Sequence, residues 1–257
     1  MLRFIKRKHE ALVDISALIA LILSFALTPY VLEKMNLLPN SWFNAQNMAL
    51  NHPHVESLFP TWTFVPAAVI VFIIVIIVDW ILFHSKRRLG VLFVSYLEAI
   101  AITNFITMLF KCTIGQLRPD FVYRCWGKEG PPAGTEWFWT ADCPNPDKLV
   151  LQGKLSFPSG HSSTSFVLAV SFCTYLWYYA HTRLSISSKI FFGGLFIAYS
   201  AAVSGSRLWN DMHHPWDVTT GALIGSAVGL AFPLLVTDNF RIYCKAIDDD
   251  MTEYVAV

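Results

Sequence analysis

The stretch Thr61-WTFVPAAVIVFIIVIIVDWIL-Phe83 decides how the rest of the chain is read. It carries one charged residue in 23, Asp79, close to its far end. A helix on the surface of a soluble domain keeps a polar face at the helical period, and this run has none. At 1.5 Å per residue it is long enough to cross the roughly 30 Å hydrocarbon layer of a bilayer. Five further apolar runs lie to either side, at Leu12–Leu32, Gly90–Leu109, Ser162–Tyr179, Ile190–Ser204 and Val218–Val236. Ile190–Ser204 reaches spanning length only if its helix extends at both ends. The basic residues before the first run also fit a signal peptide. That run is long for such a peptide, however, and no clear small-residue cleavage site follows it. The fold class expected is all-α, an integral membrane bundle of six transmembrane helices.

Composition agrees. Of 257 residues, 54% are hydrophobic and 14% are charged, where a soluble domain carries about 25% charge. A net charge of +1 makes no electrostatic case for nucleic acid as a partner. No internal repeat or low-complexity tract is present. The chain reads as a single polytopic domain over 1–257, with a six-helix core at about 12–236, a short N-terminal segment and an acidic tail over about 237–257. Asp248, Asp249 and Asp250 in that tail read as solvated.

Short-loop cations orient the bundle. Arg3, Lys6, Arg7 and Lys8 precede the first run, Lys86, Arg87 and Arg88 follow the second, and Arg183 and Lys189 follow the fourth. The connection from Asn36 to Pro60 has no Lys or Arg. Both termini are therefore expected in the cytoplasm, with the third and fifth connections lumenal or extracellular. Cys125 and Cys143 both lie in the third connection, where they are either a disulfide or two free thiols. Of the ionisable residues inside the runs, Asp14 and Asp79 are shallow enough to reach water, and Glu98 is deep enough to need a polar partner on another helix.

Three polar stretches open on the same predicted side. The third connection, Phe110 to Phe157, begins with Lys111-CTIGQL-Arg118-Pro119 and ends at Pro158-Ser159-Gly160-His161. A connection that long is either functional or disordered. The fifth connection carries Ser206-Arg207-LWNDM-His213-HPW-Asp217. Arg118 and Arg207 can each present paired donors to phosphate oxygens, and Lys111 adds a point charge. Ser159 and Gly160, at a helix start, offer backbone N–H groups and the positive end of the helix dipole. His213 suits a nucleophile, with Asp217 four residues on to hold its far ring nitrogen. His161 suits the acid that protonates a leaving oxygen and the base that then activates water. No cofactor is called for, and no metal, because the cationic side chains neutralise the charge.

Each stretch also has a plainer reading. Lys-x6-Arg-Pro can anchor a helix at headgroups. Ser-Gly before a helix is an ordinary cap. His-x3-Asp is a feasible pair of metal ligands, although a metal site would not gather three cations. Taken in this order, the stretches resemble the three signatures of the type-2 phosphatidic acid phosphatase superfamily, with no substitution at a defined position. The resemblance covers about Leu12 to Val236 and implies that Lys111, Arg118, Ser159, Gly160 and Arg207 bind phosphate. It implies that His161 is the acid/base, His213 the nucleophile and Asp217 its partner. Ile114–Cys125, Ser156–Ser163 and His213-His214 are similar to eukaryotic lipid phosphate phosphatases, the diacylglycerol pyrophosphate phosphatase group included. Asn210 stands where many relatives carry aspartate, and Pro215-Trp216 departs from the more usual Trp-x, both bearing on headgroup fit.

The resemblance implies a membrane lipid phosphate as substrate: phosphatidate, lysophosphatidate, diacylglycerol diphosphate or a sphingoid phosphate. A polyisoprenyl diphosphate phosphatase would use the same residues. A phospholipid-binding or transport protein without turnover would keep the constellation as a binding site only.

Overall fold

The computed structural model describes residues 19, 38–59, 70, 73–74, 76–78, 80–81, 86–145, 147–179, 184–231 and 234. The Leu12–Leu32 run apart from Ile19, most of Thr61–Phe83, Asp14, Asp79, Cys244 and the acidic tail lie outside them. Residues 70, 73–74, 76–78 and 80–81 are helical.

The described residues of the remaining runs are all helical. Helix α1 spans Lys86–Ile114, α4 spans Gly160–Thr174 with a π-helical continuation at Tyr175–Tyr179, and α5 spans Ile186–Trp209. A further helix, α6, covers 215–231. The run expected at Ile190–Ser204 is thus extended at both ends. Ser185 supplies the reason at the start, since its side chain accepts the Ser188 N–H as an N-cap. Among the described residues two helical stretches, Ser95–Ile114 and Ile186–Trp209, are long and apolar enough to cross a membrane.

The polarity of the bundle is inverted relative to a water-soluble domain. Ile190, Phe191 and Leu195 on α5 face outward. Ser200 and Ser204 on α5, Ser163, Ser165 and Thr174 on α4, and Thr103 and Thr107 on α1 face inward. The inner hydroxyls bond across helices: Thr107 Oγ1 donates to Ser163 Oγ at 2.9 Å, and Ser200 Oγ to the Ser165 carbonyl at 2.9 Å. Around them Tyr96, Ala99, Val167, Leu168, Phe172 and Val228 pack as the bundle core. Glu98 is buried with them and takes part in an interaction there.

α4 and α6 touch backbone to backbone. A Cβ on Gly221 would lie 2.5 Å from the Ser159 carbonyl oxygen, one on Gly225 2.2 Å from that of Ser163, and one on Gly229 2.8 Å from that of Val167. Spaced four apart, the three glycines form one smooth stripe, the device by which helices in an apolar medium approach closely.

The two long connections are ordered and fold together as a cap. Strand β1 (Trp42–Asn44) pairs antiparallel with β2 (Trp137–Trp139), so the fold is not purely helical. Three-residue strands about 95 positions apart carry too little alternation to be read as a pair from sequence. Helix α2 (Phe121–Trp126) precedes β2, and α3 (Asp147–Gly153) follows it. Phe43, Ala45, Phe121, Val122, Cys125 and Val150 form the cap core, and a disulfide joins Cys125 to Cys143.

Candidate active site

Lys111 stands in the last turn of α1. The helix stops at Gly115, whose φ of +60° only glycine adopts without strain and whose amide donates to the Lys111 carbonyl. The chain then runs beside the segment after α3: the Arg118 amide donates to the Gly153 carbonyl at 2.9 Å and the Ser156 amide to that of Gln116 at 3.0 Å. This pairing brings the first motif against the second. The Lys111 ammonium is buried and donates to the Leu155 carbonyl.

Arg118 Nε is buried without a hydrogen-bond partner among the described residues. Burial, then the charge of Arg124, draws the Arg118 guanidinium down to about 10, partly opposed by Asp120, which leaves it charged at neutral pH. Burial alone would raise Asp120. Its hydrogen bond with Arg124 and the Arg124 charge outweigh this and hold it below the usual carboxylate range. Asp120 Oδ1 accepts from Arg124 Nε at 2.7 Å, and its Oδ2 lies 2.7 Å from His54 Nδ1. Arg207 is buried at the end of α5, with Nε and Nη2 both donating to Ser206 Oγ and Nη1 lying 3.5 Å from the Met212 sulfur.

The second motif starts α4. Ser159 is its N-cap residue, yet its side chain makes no capping bond, and its buried Oγ has no partner among the described residues. The Ser159 amide is occupied, donating to the Asp217 carbonyl at 2.9 Å. This corrects the expectation that Ser159 N–H helps to seat an anion. The amides after it are ones that a helix start leaves outside the i→i−4 ladder. A Cβ on Gly160 would meet Lys111 Cε and Thr107 Cγ2 at 4.0 Å, an ordinary contact, so no protein neighbour demands glycine there. The His161 ring makes a backbone hydrogen bond with Phe59.

The third motif turns from α5 into α6. His214 caps α6, Pro215 takes the first helical position, and Asp217 reaches back so that its Oδ2 accepts the His214 amide at 3.0 Å. The departure at Pro215 is thereby explained, because proline at that position costs no hydrogen bond. His213 precedes the helix, so it and Asp217 do not share a helical face. The turn still places His213 Nδ1 3.5 Å from Asp217 Oδ2, beyond hydrogen-bond length. That oxygen also accepts from Ser156 Oγ at 2.5 Å. Asp217 Oδ1 and His213 Nδ1 are buried without hydrogen-bond partners among the described residues. Burial comes first in holding His213 well below its ordinary pKa, followed by the charges of Arg118, Lys111, His161 and Arg207. Direct contacts bring the three motifs to one place: Gly160 lies beside Lys111 Cε, the Ser159 amide donates to the Asp217 carbonyl, and His214 Nε2 lies 3.1 Å from the Leu117 carbonyl oxygen.

Sequence reasoning overlooked several contributors. Ser156 carries no signal of its own in the sequence. The segment from His52 to Phe59 looks like a plain connection, yet it touches every motif. The His52 amide donates to the Pro119 carbonyl, and His52 Nδ1 pairs with Asp211 at 3.0 Å. His54 pairs with Asp120, and the Glu56 carbonyl accepts Asn210 Nδ2 at 2.8 Å. Asn210 therefore ties down this strap. No group of three or more His, Cys, Asp or Glu side chains that could hold a metal ion is gathered among the described residues.

Comparison with known proteins fits this geometry. The family model described as the PAP2 superfamily matches residues 92–241. The chain belongs to the PAP2 superfamily. It is similar to phospholipid phosphatase 1 of Mus musculus, 31% identical over 156 residues that make up 57% of this chain and 52% of the mouse protein. It is also similar to diacylglycerol pyrophosphate phosphatase 1 of Saccharomyces cerevisiae, 29% identical over 195 residues, 71% of this chain and 66% of the yeast protein. A probable lipid phosphate phosphatase 4 of Arabidopsis thaliana is 30% identical over 193 residues, 68% of this chain and 58% of that one. The chain spans between about half and two thirds of the length of these curated relatives.

Proposed function

We propose that this chain is a membrane-embedded phosphatase of lipid phosphate monoesters or diphosphates, working through a phosphohistidine at His213. The observation that carries the reading is that buried polar atoms of the converging motifs, among them Arg118 Nε and Ser159 Oγ, have no hydrogen-bond partner among the described residues. Buried polar groups are normally satisfied, so such a cluster calls for a ligand. With Asp120 paired to Arg124, the three cations Lys111, Arg118 and Arg207 outnumber the Asp217 carboxylate, a surplus that suits a dianionic phosphate.

In this mechanism Asp217 faces Nδ1, which leaves Nε2 of His213 to attack phosphorus. The phosphorus–oxygen bond to the lipid breaks as Nε2 bonds to phosphorus, and His161 gives its proton to the departing oxygen. His161 then takes a proton from water, whose oxygen attacks the phosphohistidine and releases inorganic phosphate and free His213. Lys111, Arg118, Arg207 and the helix start at Ser159-Gly160 hold the equatorial oxygens throughout. The whole chain acts as one polytopic domain of six spans with both termini cytoplasmic, and the site opens on the lumenal or extracellular side.

Purified protein in mixed micelles should release inorganic phosphate from phosphatidate or diacylglycerol diphosphate. His213→Ala and His161→Ala should each lower turnover by several orders of magnitude while the protein stays folded. Phosphate release unchanged in His213→Ala would overturn the mechanism, and no release by the wild type would leave a binding protein. A cysteine placed at Gly134, with Cys125 and Cys143 replaced by serine, should react with an impermeant thiol reagent from the lumenal or exterior side only.

A further inference from the structure

The two-stranded ribbon has two unlike faces. Residues paired across an antiparallel ribbon share a face, and neighbours along a strand alternate. Phe43 and Phe138 pair with each other and pack in the cap core. Trp42 pairs with Trp139 and Asn44 with Trp137, so three tryptophans and one asparagine make up the opposite face. Trp42 is 64% exposed and Trp137 61%, and the rings of Trp42 and Trp139 meet at 5.4 Å. Nothing in the candidate active site uses this face.

Indole is a costly group to leave in water, because its ring is large and apolar while its N–H still needs an acceptor. The headgroup layer of a bilayer satisfies both demands, and tryptophan collects there. A face of tryptophan and asparagine without one aliphatic side chain suits that layer better than the hydrocarbon. Its place in the fold agrees. Pro39 lies against Gly115, the residue immediately after α1. Three residues of chain separate Pro39 from Trp42, at most about 10 Å of extended backbone. The headgroup layer itself adds about 5–8 Å on each side of the hydrocarbon. At the same end of the bundle, where α5 stops and α6 starts, Trp209 is 87% exposed and Trp216 53%.

We infer that the Trp42–Trp137–Trp139 face of the ribbon rests in the headgroup layer of the bilayer that the helices cross, and fastens the cap to the membrane surface. The inference rests on the membrane-embedded reading given above. The test uses a chain with Cys112, Cys173 and Cys244 replaced by serine and the Cys125–Cys143 disulfide kept. An environment-sensitive fluorophore is attached at Asn44→Cys, or at Leu195→Cys on the outward face of α5 as a reference. Each protein is reconstituted singly in nanodiscs whose lipids carry a spin-label quencher on the headgroup or in mid-chain.

The Leu195 probe should be quenched by the mid-chain label. The Asn44 probe should emit to the blue of its value in water and be quenched most by the headgroup label. Replacing Trp42, Trp137 and Trp139 together with serine should abolish that quenching. A quenched Leu195 probe beside an Asn44 probe with water-like, unquenched emission overturns the inference and leaves the membrane reading intact. If neither probe is quenched, the membrane reading fails and takes the inference with it. A blue shift at Asn44 without lipid quenching means that protein covers the face, which also overturns the inference.

Discussion

Replacing Gly221 with alanine adds one methyl group where α6 meets the start of α4. The new carbon would sit 2.5 Å from the Ser159 carbonyl oxygen, where ordinary contact begins at 3.4 Å, a shortfall of about 0.9 Å. Ser162 Cβ at 3.1 Å and Ser163 N at 3.3 Å close off sideways relief. The obstacle is backbone, so no rotamer change clears it, and α6 must move away by close to 1 Å. Asp217 is carried on α6, and Ser159 and His161 on α4, so the movement separates the two halves of the site. Displacing reacting groups by about 1 Å costs on the order of 10²-fold in rate, and overpacking costs about 1–3 kcal/mol of stability. Gly194→Ala is the control. Nothing lies within 4 Å of a Cβ there, so alanine should leave activity alone and stabilise the helix by about 0.5–1 kcal/mol. The assay is phosphate release and thermal melting of both variants in nanodiscs. A Gly221→Ala protein that keeps turnover within a factor of about two of wild type would refute the claim that helix spacing sets the site.

Ser156→Ala removes a hydrogen bond to the Asp217 carboxylate; bonds to charged groups are worth about 1.5–3 kcal/mol, so kcat should fall about 10- to 100-fold with little change in KM. Turnover should persist in EDTA and be inhibited by vanadate, as phosphate-release assays with each would show, because side-chain cations carry the charge neutralisation. Since folded His213 is held well below 6.5 while the unfolded chain takes up a proton near that value, stability of the ligand-free protein should drop as pH falls below about 6.5. Bound phosphate offsets the surrounding cations and should shrink this loss, and His213→Gln should reduce it, with His161, drawn down to about 4 first by burial, supplying the remainder, as read from melting temperatures between pH 7.5 and 5.5.

What could be read from the sequence was chemistry attached to helix ends. Lys111, Arg118, His161, Arg207 and His213 carry functional groups with few other uses at such places, and the apolar runs between them announce the helices that bring them together. Ser156 was not legible as part of the site because a serine before a helix has many ordinary uses. Only the fold reveals that it faces a carboxylate 61 residues away. The occupied amide of Ser159 was hidden for the same reason, since its acceptor belongs to another helix. Gly221, Gly225 and Gly229 did carry a signal in their spacing of four within an apolar run. The ribbon carried almost none, because Trp42–Asn44 and Trp137–Trp139 become strands only through each other.

The strap from His52 to Phe59 lies outside residues 92–241, the part of the chain that the superfamily model matches. The candidate site therefore joins three motifs inside that part to a strap outside it, through His52, His54 and the Glu56 carbonyl. An asparagine at 210 that grips a main-chain carbonyl, Glu56, tolerates almost any side chain at position 56. Grafting 51–59 from a relative would thus change the contacts of Asp120, His161 and Asp211 together, without altering any of the three motifs.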